Sequence, residues 1–189
     1  VQAFAYLSVL VSIIIGLGMA HVLAAAVRLI QHRARVRFYW PALAWALNLF
    51  GLMLLVWWAE YSLNHHDRWT FAQFAVTVAI PVLLYVAASL VLPAGNDEEK
   101  VDLRVAYQFN RVWFLSLVAA SILASYVQTY LFDGRIPFDL DNGLKLLALG
   151  ITSVAIVVRN ETVQKMVAAV NLAWLLLYIS VLFVNLREA

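Results

Sequence analysis

Apolar positions run along this chain in six long stretches, interrupted only by short polar or proline-bearing joints. Each stretch is close to the roughly 20 helical residues that a hydrocarbon core demands. The pattern predicts helices over 4–30, 41–63, 71–92, 112–132, 142–158 and 163–186. The expected fold is therefore all-α: a polytopic integral membrane protein, a six-transmembrane-helix bundle forming a single transmembrane domain over 1–189. The first run has no basic stretch before it and its arginines follow it, so it reads as a span rather than a cleaved signal. Helix five is the least regular, because its unbroken apolar run starts only after Lys145. Extending it back to Asn142 makes Asp141 its N-cap and lets Lys145 snorkel outward. The most hydrophilic stretch, 93–100, reads as a solvated loop.

Polar residues within the spans are expected to face other helices or a cavity, since lipid-facing positions favour apolar groups. In helix one, Ser8, Ser12, Gly16, Ala20 and Ala24 recur at four-residue steps, a small-residue stripe that suits close helix packing. Helix three carries Gln73, Thr77, Pro81, Tyr85 and Ser89 at the same step, and Pro81 predicts a kink with freed carbonyls. Helix four shows Asn110, Ser121, Ser125 and Gln128 on roughly one face. Helix six places Asn171, Tyr178 and Asn185 at heptad spacing. Such groups either fix helix register or line a path. The candidates for a pore or cavity are His21, Gln73, Thr77, Tyr85, Ser121, Ser125, Gln128, Asn171 and Tyr178; those for packing are Ser8, Ser12, Gly16, Asn48 and Asn110.

A weak repeat overlies this pattern. Asn48, Asn110 and Asn171 are spaced by 62 and 61 residues, each with a tryptophan (Trp45, Trp113, Trp174) three positions away. Three duplicated helical hairpins would give that spacing, and so would regular helix lengths alone.

Composition supports the membrane reading: 65% of residues are hydrophobic and 13% charged, against about 25% charged in soluble domains. Lys and Arg sort by side. Arg28, Arg33, Arg35, Arg37, Lys100, Arg104, Arg111, Arg159 and Lys165 fall on the side of loops one, three and five. Only Arg68, Arg135, Lys145 and Arg187 fall on the other. The positive-inside rule then puts loops one, three and five in the cytoplasm and both termini outside. Arg33, Arg35 and Arg37 are candidates for lipid-headgroup contact. No basic patch interleaved with aromatics is present, so nucleic acid is not an expected partner. The absence of cysteine, of long outer segments and of Asn-x-Ser/Thr glycan acceptor sites on the outer side suits a bacterial inner membrane.

The chemistry is sparse. His21 is the titratable group deepest within a span, and Glu60 lies about one turn from the outer end of helix two, where Arg68, His65 or His66 could pair with it. No Asp or Glu lies deep, which argues against strong proton coupling. Haem would need a histidine facing His21, and none lies at its level. His65, His66 and Asp67 are adjacent and diverge on a helix, so no metal site is expected. The 139–143 segment lacks the closing Glu of a calcium loop and reads as a helix cap. No cofactor is expected, and no nucleophile–base pair suggests an enzyme. Two function classes remain. One is a channel or facilitator for a small neutral or weakly charged solute. The other is a non-catalytic subunit that assembles with itself or with another membrane protein.

Overall fold

The computed structural model describes residues 3–66, 68–92 and 101–182. It is an all-α bundle of α1 (Ala3–Gln31), α2 (Trp40–Ala59), α3 (Phe71–Val91), α4 (Leu103–Asp133), α5 (Leu140–Val157) and α6 (Glu161–Leu182). All six helices are long and apolar enough to cross a membrane. Only 22–39% of each span is buried within the chain, so most of their apolar surface faces outward, as a bilayer requires and water would not tolerate. The stretch 93–100, Asp67, Asn185 and Arg187 lie outside the described residues.

Local chemistry sets the helix starts. Pro41 occupies the first turn of α2, where its missing N–H costs nothing. Thr70 and Gln73 form a reciprocal capping box at α3. Asp102 caps α4 by accepting from the amides of Arg104 and Val105. Asn160 accepts from the Thr162 amide at the start of α6. Gly134, with φ +70°, closes α4 in the left-handed region that glycine adopts without strain.

Three boundaries differ from the sequence expectation. Helix four begins at Leu103 rather than at 112, because the Asp102 cap lets an amphipathic segment extend below the apolar run. Leu103 and Tyr107 face inward there, while Arg104 and Gln108 face out. The cap of α5 is Asp139, whose carboxylate accepts from the Asn142 amide, and not Asp141. Helix two ends at Ala59 and tightens into a 3-10 turn over Glu60–His65.

The helices form a closed ring in the order α1, α3, α4, α5, α6, α2 and back to α1. A further contact between α2 and α3 crosses the ring. It divides the bundle into a small triangle (α1, α2, α3) and a larger ring of α2 to α6. Consecutive helices do pair as hairpins, but the asparagines are not equivalent. Asn48 reaches α6, whereas Asn110 donates to the Leu90 carbonyl of its own hairpin partner α3 (3.0 Å).

The small-residue stripe of helix one does not pack within this chain. Ser12, Gly16, Ala20 and Ala24 are exposed, Ser8 bonds back to the Ala5 carbonyl, and a side chain at Gly16 would meet nothing. The inward row is instead Val11, Ile15, Val22, Ala25 and Leu29. Close approach uses other glycines. A Cβ at Gly18 would lie 2.8 Å from Met53 Sδ of α2, and one at Gly51 2.5 Å from Leu175 Cδ2 of α6.

The end carrying loops one, three and five is the solid part of the bundle. Tyr39, Tyr107, Phe114 and Trp45 stack in sequence with centroid separations of 5.4, 5.4 and 5.7 Å. Beside them, the buried Arg111 donates to the carbonyls of Ala155 (2.8 Å) and Val158 (2.6 Å) at the end of α5. Gln164 of α6 donates to the same Ala155 carbonyl and accepts from the Tyr107 hydroxyl (2.8 Å each). Outside this core, β1 (Val36–Arg37) pairs in parallel with β2 (Val101–Asp102). Arg37 reinforces the pair through Asp102 (3.3 Å). Burial opposes the Asp102 charge, but the amides of Val105 and Arg104 and the Arg37 guanidinium outweigh it, holding the carboxyl below its ordinary range. Arg104 pairs with Glu161, which also holds Lys165 (2.9 Å). Of the arginines expected at lipid headgroups, Arg37 is thus engaged within the chain and Arg33 donates to the Ile30 carbonyl. Arg35 is exposed at the same end.

Arg111 therefore acts as an internal cap on α5 rather than as an interfacial charge. Replacing Arg111 with Met is expected to lower the stability of detergent-purified protein by about 2 kcal/mol, the scale of a charged hydrogen bond. Replacing the half-exposed Arg104 with Met is expected to cost less than about 1 kcal/mol. Thermal unfolding of the two variants side by side checks the ranking.

Candidate functional site: a one-ended cavity

The larger ring leaves its centre unfilled. A cavity of about 560 Å3 opens at the end carrying the Glu60–His65 turn and descends between α2, α3, α4, α5 and α6. Helix α1 contributes no side chain to it. The deepest wall residues on α2 and α6 are Asn48 and Asn171. Asn48 lies eleven residues before Ala59, about 17 Å down the helix at 1.5 Å per residue. The cavity thus reaches the middle of the bundle and stops, because the aromatic and arginine layer fills the space beyond.

The floor is made where α2 and α6 meet. Asn48 Nδ2 donates to the Asn171 carbonyl (3.1 Å), and both residues are buried. Asn171 Nδ2 turns back to the Val167 carbonyl (3.4 Å). One turn above, Gly51 admits Leu175, and this brings the two backbones together.

The wall is mostly apolar, with Leu52, Ile80, Leu84, Val118 and Ile122, and polar groups enter at intervals. Ser121 and Ser125 lie on it with their hydroxyls bonded to the Val118 and Ile122 carbonyls of their own helix. Gln128 also lies on it, its amide donating to the Thr77 hydroxyl of α3 (3.0 Å). Near the mouth, Asp141 holds Lys145 (2.5 Å) and accepts from the Tyr178 hydroxyl. The Tyr178 ring stacks on Trp174 at 4.9 Å. Lys145 is thus paired inside the bundle and does not snorkel outward as expected. His66 packs edge-on against Phe132 at 4.8 Å. Glu60 lies on the same wall; its backbone amide donates to α2 carbonyls, and among the described residues its carboxyl makes no hydrogen bond or ion pair. The expected pairing with Arg68, His65 or His66 is absent from it.

Five of the sequence candidates therefore share one cavity: Ser121, Ser125, Gln128, Asn171 and Tyr178. The other four lie elsewhere. Thr77 stands behind Gln128 as its acceptor. Gln73 caps α3 and donates to the Leu131 carbonyl of α4 (2.9 Å). Tyr85 and His21 meet edge to face at 6.1 Å between α1 and α3, and His21 Nε2 is buried without a partner. Helix α3 runs unbroken through the buried Pro81, and its polar stripe serves its neighbours α1 and α4 more than the cavity.

Compared with family models, characterised proteins and solved structures, the chain matches none. Its function is therefore read from the site.

Sequence reasoning missed Arg111 and Gln164 as core residues, although each sits on a heptad-like stripe. Leu103, Tyr107, Arg111, Phe114 and Val118 are buried together on α4, and Gln164, Ala168, Asn171, Leu175 and Tyr178 on α6. It also missed Asp141, Lys145 and Tyr178 as one cluster, because the pairing depends on how α5 and α6 face each other. Among the described residues, no group of three or more His, Asp or Glu side chains could hold a metal ion.

The floor is held mainly by fit. Replacing Asn48 with Leu removes an interhelical hydrogen bond, worth about 0.6 kcal/mol in a membrane interior. Replacing Gly51 with Val forces α2 and α6 apart and is expected to cost about 1–3 kcal/mol. Urea or heat titrations of both variants check the order, and Leu175→Ala in the Gly51→Val background is expected to recover part of the loss.

Proposed function

We propose that this chain is a small-solute facilitator, with the one-ended cavity as its binding vestibule. The observation that carries the reading is the cavity itself. A volume of about 560 Å3 falls in the range of small-molecule sites, about 300–1,000 Å3, and mostly apolar walls with a few polar groups are typical of them. Passage would require the Asn48–Asn171 floor to part and the aromatic layer beneath to open, so the closed floor reads as a gate. The sorting of Lys and Arg supports an orientation with the basic end in the cytoplasm and the mouth outside. A bacterial inner membrane is the setting this reading assigns.

A second reading, a subunit of a larger membrane assembly, is favoured by one observation. The small-residue stripe of α1 faces away from the bundle, where another helix could approach.

Filling the vestibule tests the first reading. Proteoliposomes carrying the wild type are expected to pass urea, glycerol or methylammonium faster than empty vesicles in stopped-flow light scattering. Ser125→Trp is expected to return the rate to that of empty vesicles with the helix content unchanged. Equal rates for wild type, Ser125→Trp and empty vesicles with all three solutes would reject the facilitator and leave the assembly reading. The lack of native cysteine makes orientation simple to test. In intact cells, Ser62→Cys is expected to react with a membrane-impermeant maleimide and Ala34→Cys to react only after lysis; the reverse pattern would invert the assignment.

A further inference from the structure

The ionisable groups on the cavity wall do not balance. The acids are Glu60, Asp133 and Asp141; among the described residues, the permanently cationic side chain on it is Lys145. Lys145 is engaged by Asp141 at 2.5 Å, and that carboxylate is further satisfied by Tyr178. Glu60 and Asp133 are left with no ion pair among the described residues. Asp133 is exposed at the rim, where water can solvate it. Glu60 is only partly exposed and sits on a wall whose neighbours are largely apolar or aromatic. An unpaired carboxylate in such a place is costly.

The remaining wall indicates what kind of charge would suit it. Trp58, Tyr61, Phe132 and Trp174 line the same cavity, and aromatic rings attract cations, quaternary ammonium groups in particular. A divalent metal needs several oxygen or nitrogen ligands around one point, and no such group exists among the described residues. For an anion, the basic groups on the wall among the described residues are Lys145, already held by Asp141, and His66, packed edge-on against Phe132. A small inorganic cation would leave most of the apolar volume empty.

We infer that the vestibule takes a monovalent organic cation with an apolar body, its charge set against Glu60 and its body against the aromatic wall. This inference rests on the solute-binding reading above and adds the charge and shape of the solute. Asp133 at the rim adds attraction at the entrance, and the paired Asp141 and Lys145 bring no net charge against it.

Isosteric probes test it on the full-length protein in nanodiscs, by equilibrium dialysis corrected with empty nanodiscs. Phenyltrimethylammonium and tert-butylbenzene have the same shape and differ by one positive charge; benzenesulfonate carries the opposite sign. Phenyltrimethylammonium is expected to bind at least tenfold more tightly than either of the others. Glu60→Gln is expected to weaken it at least tenfold while leaving tert-butylbenzene unchanged, and Asp102→Asn, at the opposite end of the bundle, is expected to change neither. Size-exclusion profiles and helix content matching the wild type identify folded variants. Equal binding of the cation and its neutral isostere, both lost in Ser125→Trp, would overturn the cation assignment while sparing the vestibule. Binding of every probe unaltered by Ser125→Trp would overturn both.

Discussion

The bundle depends on one buried cation placed against the end of a helix. Arg111 lies inside the protein with no acidic partner among the described residues, and its guanidinium is answered by the carbonyls of Ala155 and Val158. These groups carry the partial negative charge of the α5 C-terminus. Gln164 binds the same carbonyls and is held in turn by Tyr107, so α4, α5 and α6 are joined at one point. The aromatic series from Tyr39 to Trp45 brings in α2 and the loop before it. Every helix of the larger ring except α3 is fixed there directly, and α3 follows through its long contact with α4. At the opposite end Phe4, Trp69, Phe132 and His66 form a second aromatic series among α1, α4 and the loop before α3, and beside it the helices leave room.

This asymmetry accounts for the site. A cavity open at one end arises when helices are held close at the other and spread by large side chains above. The membrane also sets the chemistry of its wall. Serine and threonine hydroxyls there bond to carbonyls of their own helix, so they are satisfied without a partner helix and leave the surface shallow and mostly apolar. The polar groups with reach, Gln128 and Tyr178, are anchored to Thr77 and Asp141. Among the described residues, the Glu60 carboxyl has no such anchor.

The helix count and the all-α class were legible because the apolar runs are long and the breaks between them are marked by proline, glycine and charge. Helix phase was partly legible: of Asn110, Ser121, Ser125 and Gln128, placed on roughly one face of α4, the last three line the cavity and Asn110 instead donates to the Leu90 carbonyl. Helix partners were not legible. The stripe on α1 satisfies the pattern of a packing face as well as the row beside it does, and only the bulk of Met53 and Leu175 opposite Gly18 and Gly51 reveals which glycines matter. Arg111 was misread for a related reason. A basic residue next to an apolar run is normally an interfacial anchor, and its internal role becomes visible only when α5 ends beside it.

The parallel pairing of β1 with β2 has a mechanical consequence. It ties the loop after α1 to the segment entering α4, so the basic end behaves as a pinned joint, whereas the far end is crossed by the ring contacts of Phe4, Trp69, Phe132 and His66 and by the Gln73 bond to the Leu131 carbonyl. Displacement at the free end of a lever grows with distance from its pivot. For a helix of about 30 Å, a tilt of about 5° at the pinned end moves the other end by about 2.6 Å. A rotation of that size would alter the aperture of the mouth by nearly the width of a water molecule, and the contacts around Phe132 and Gln73 are what oppose it.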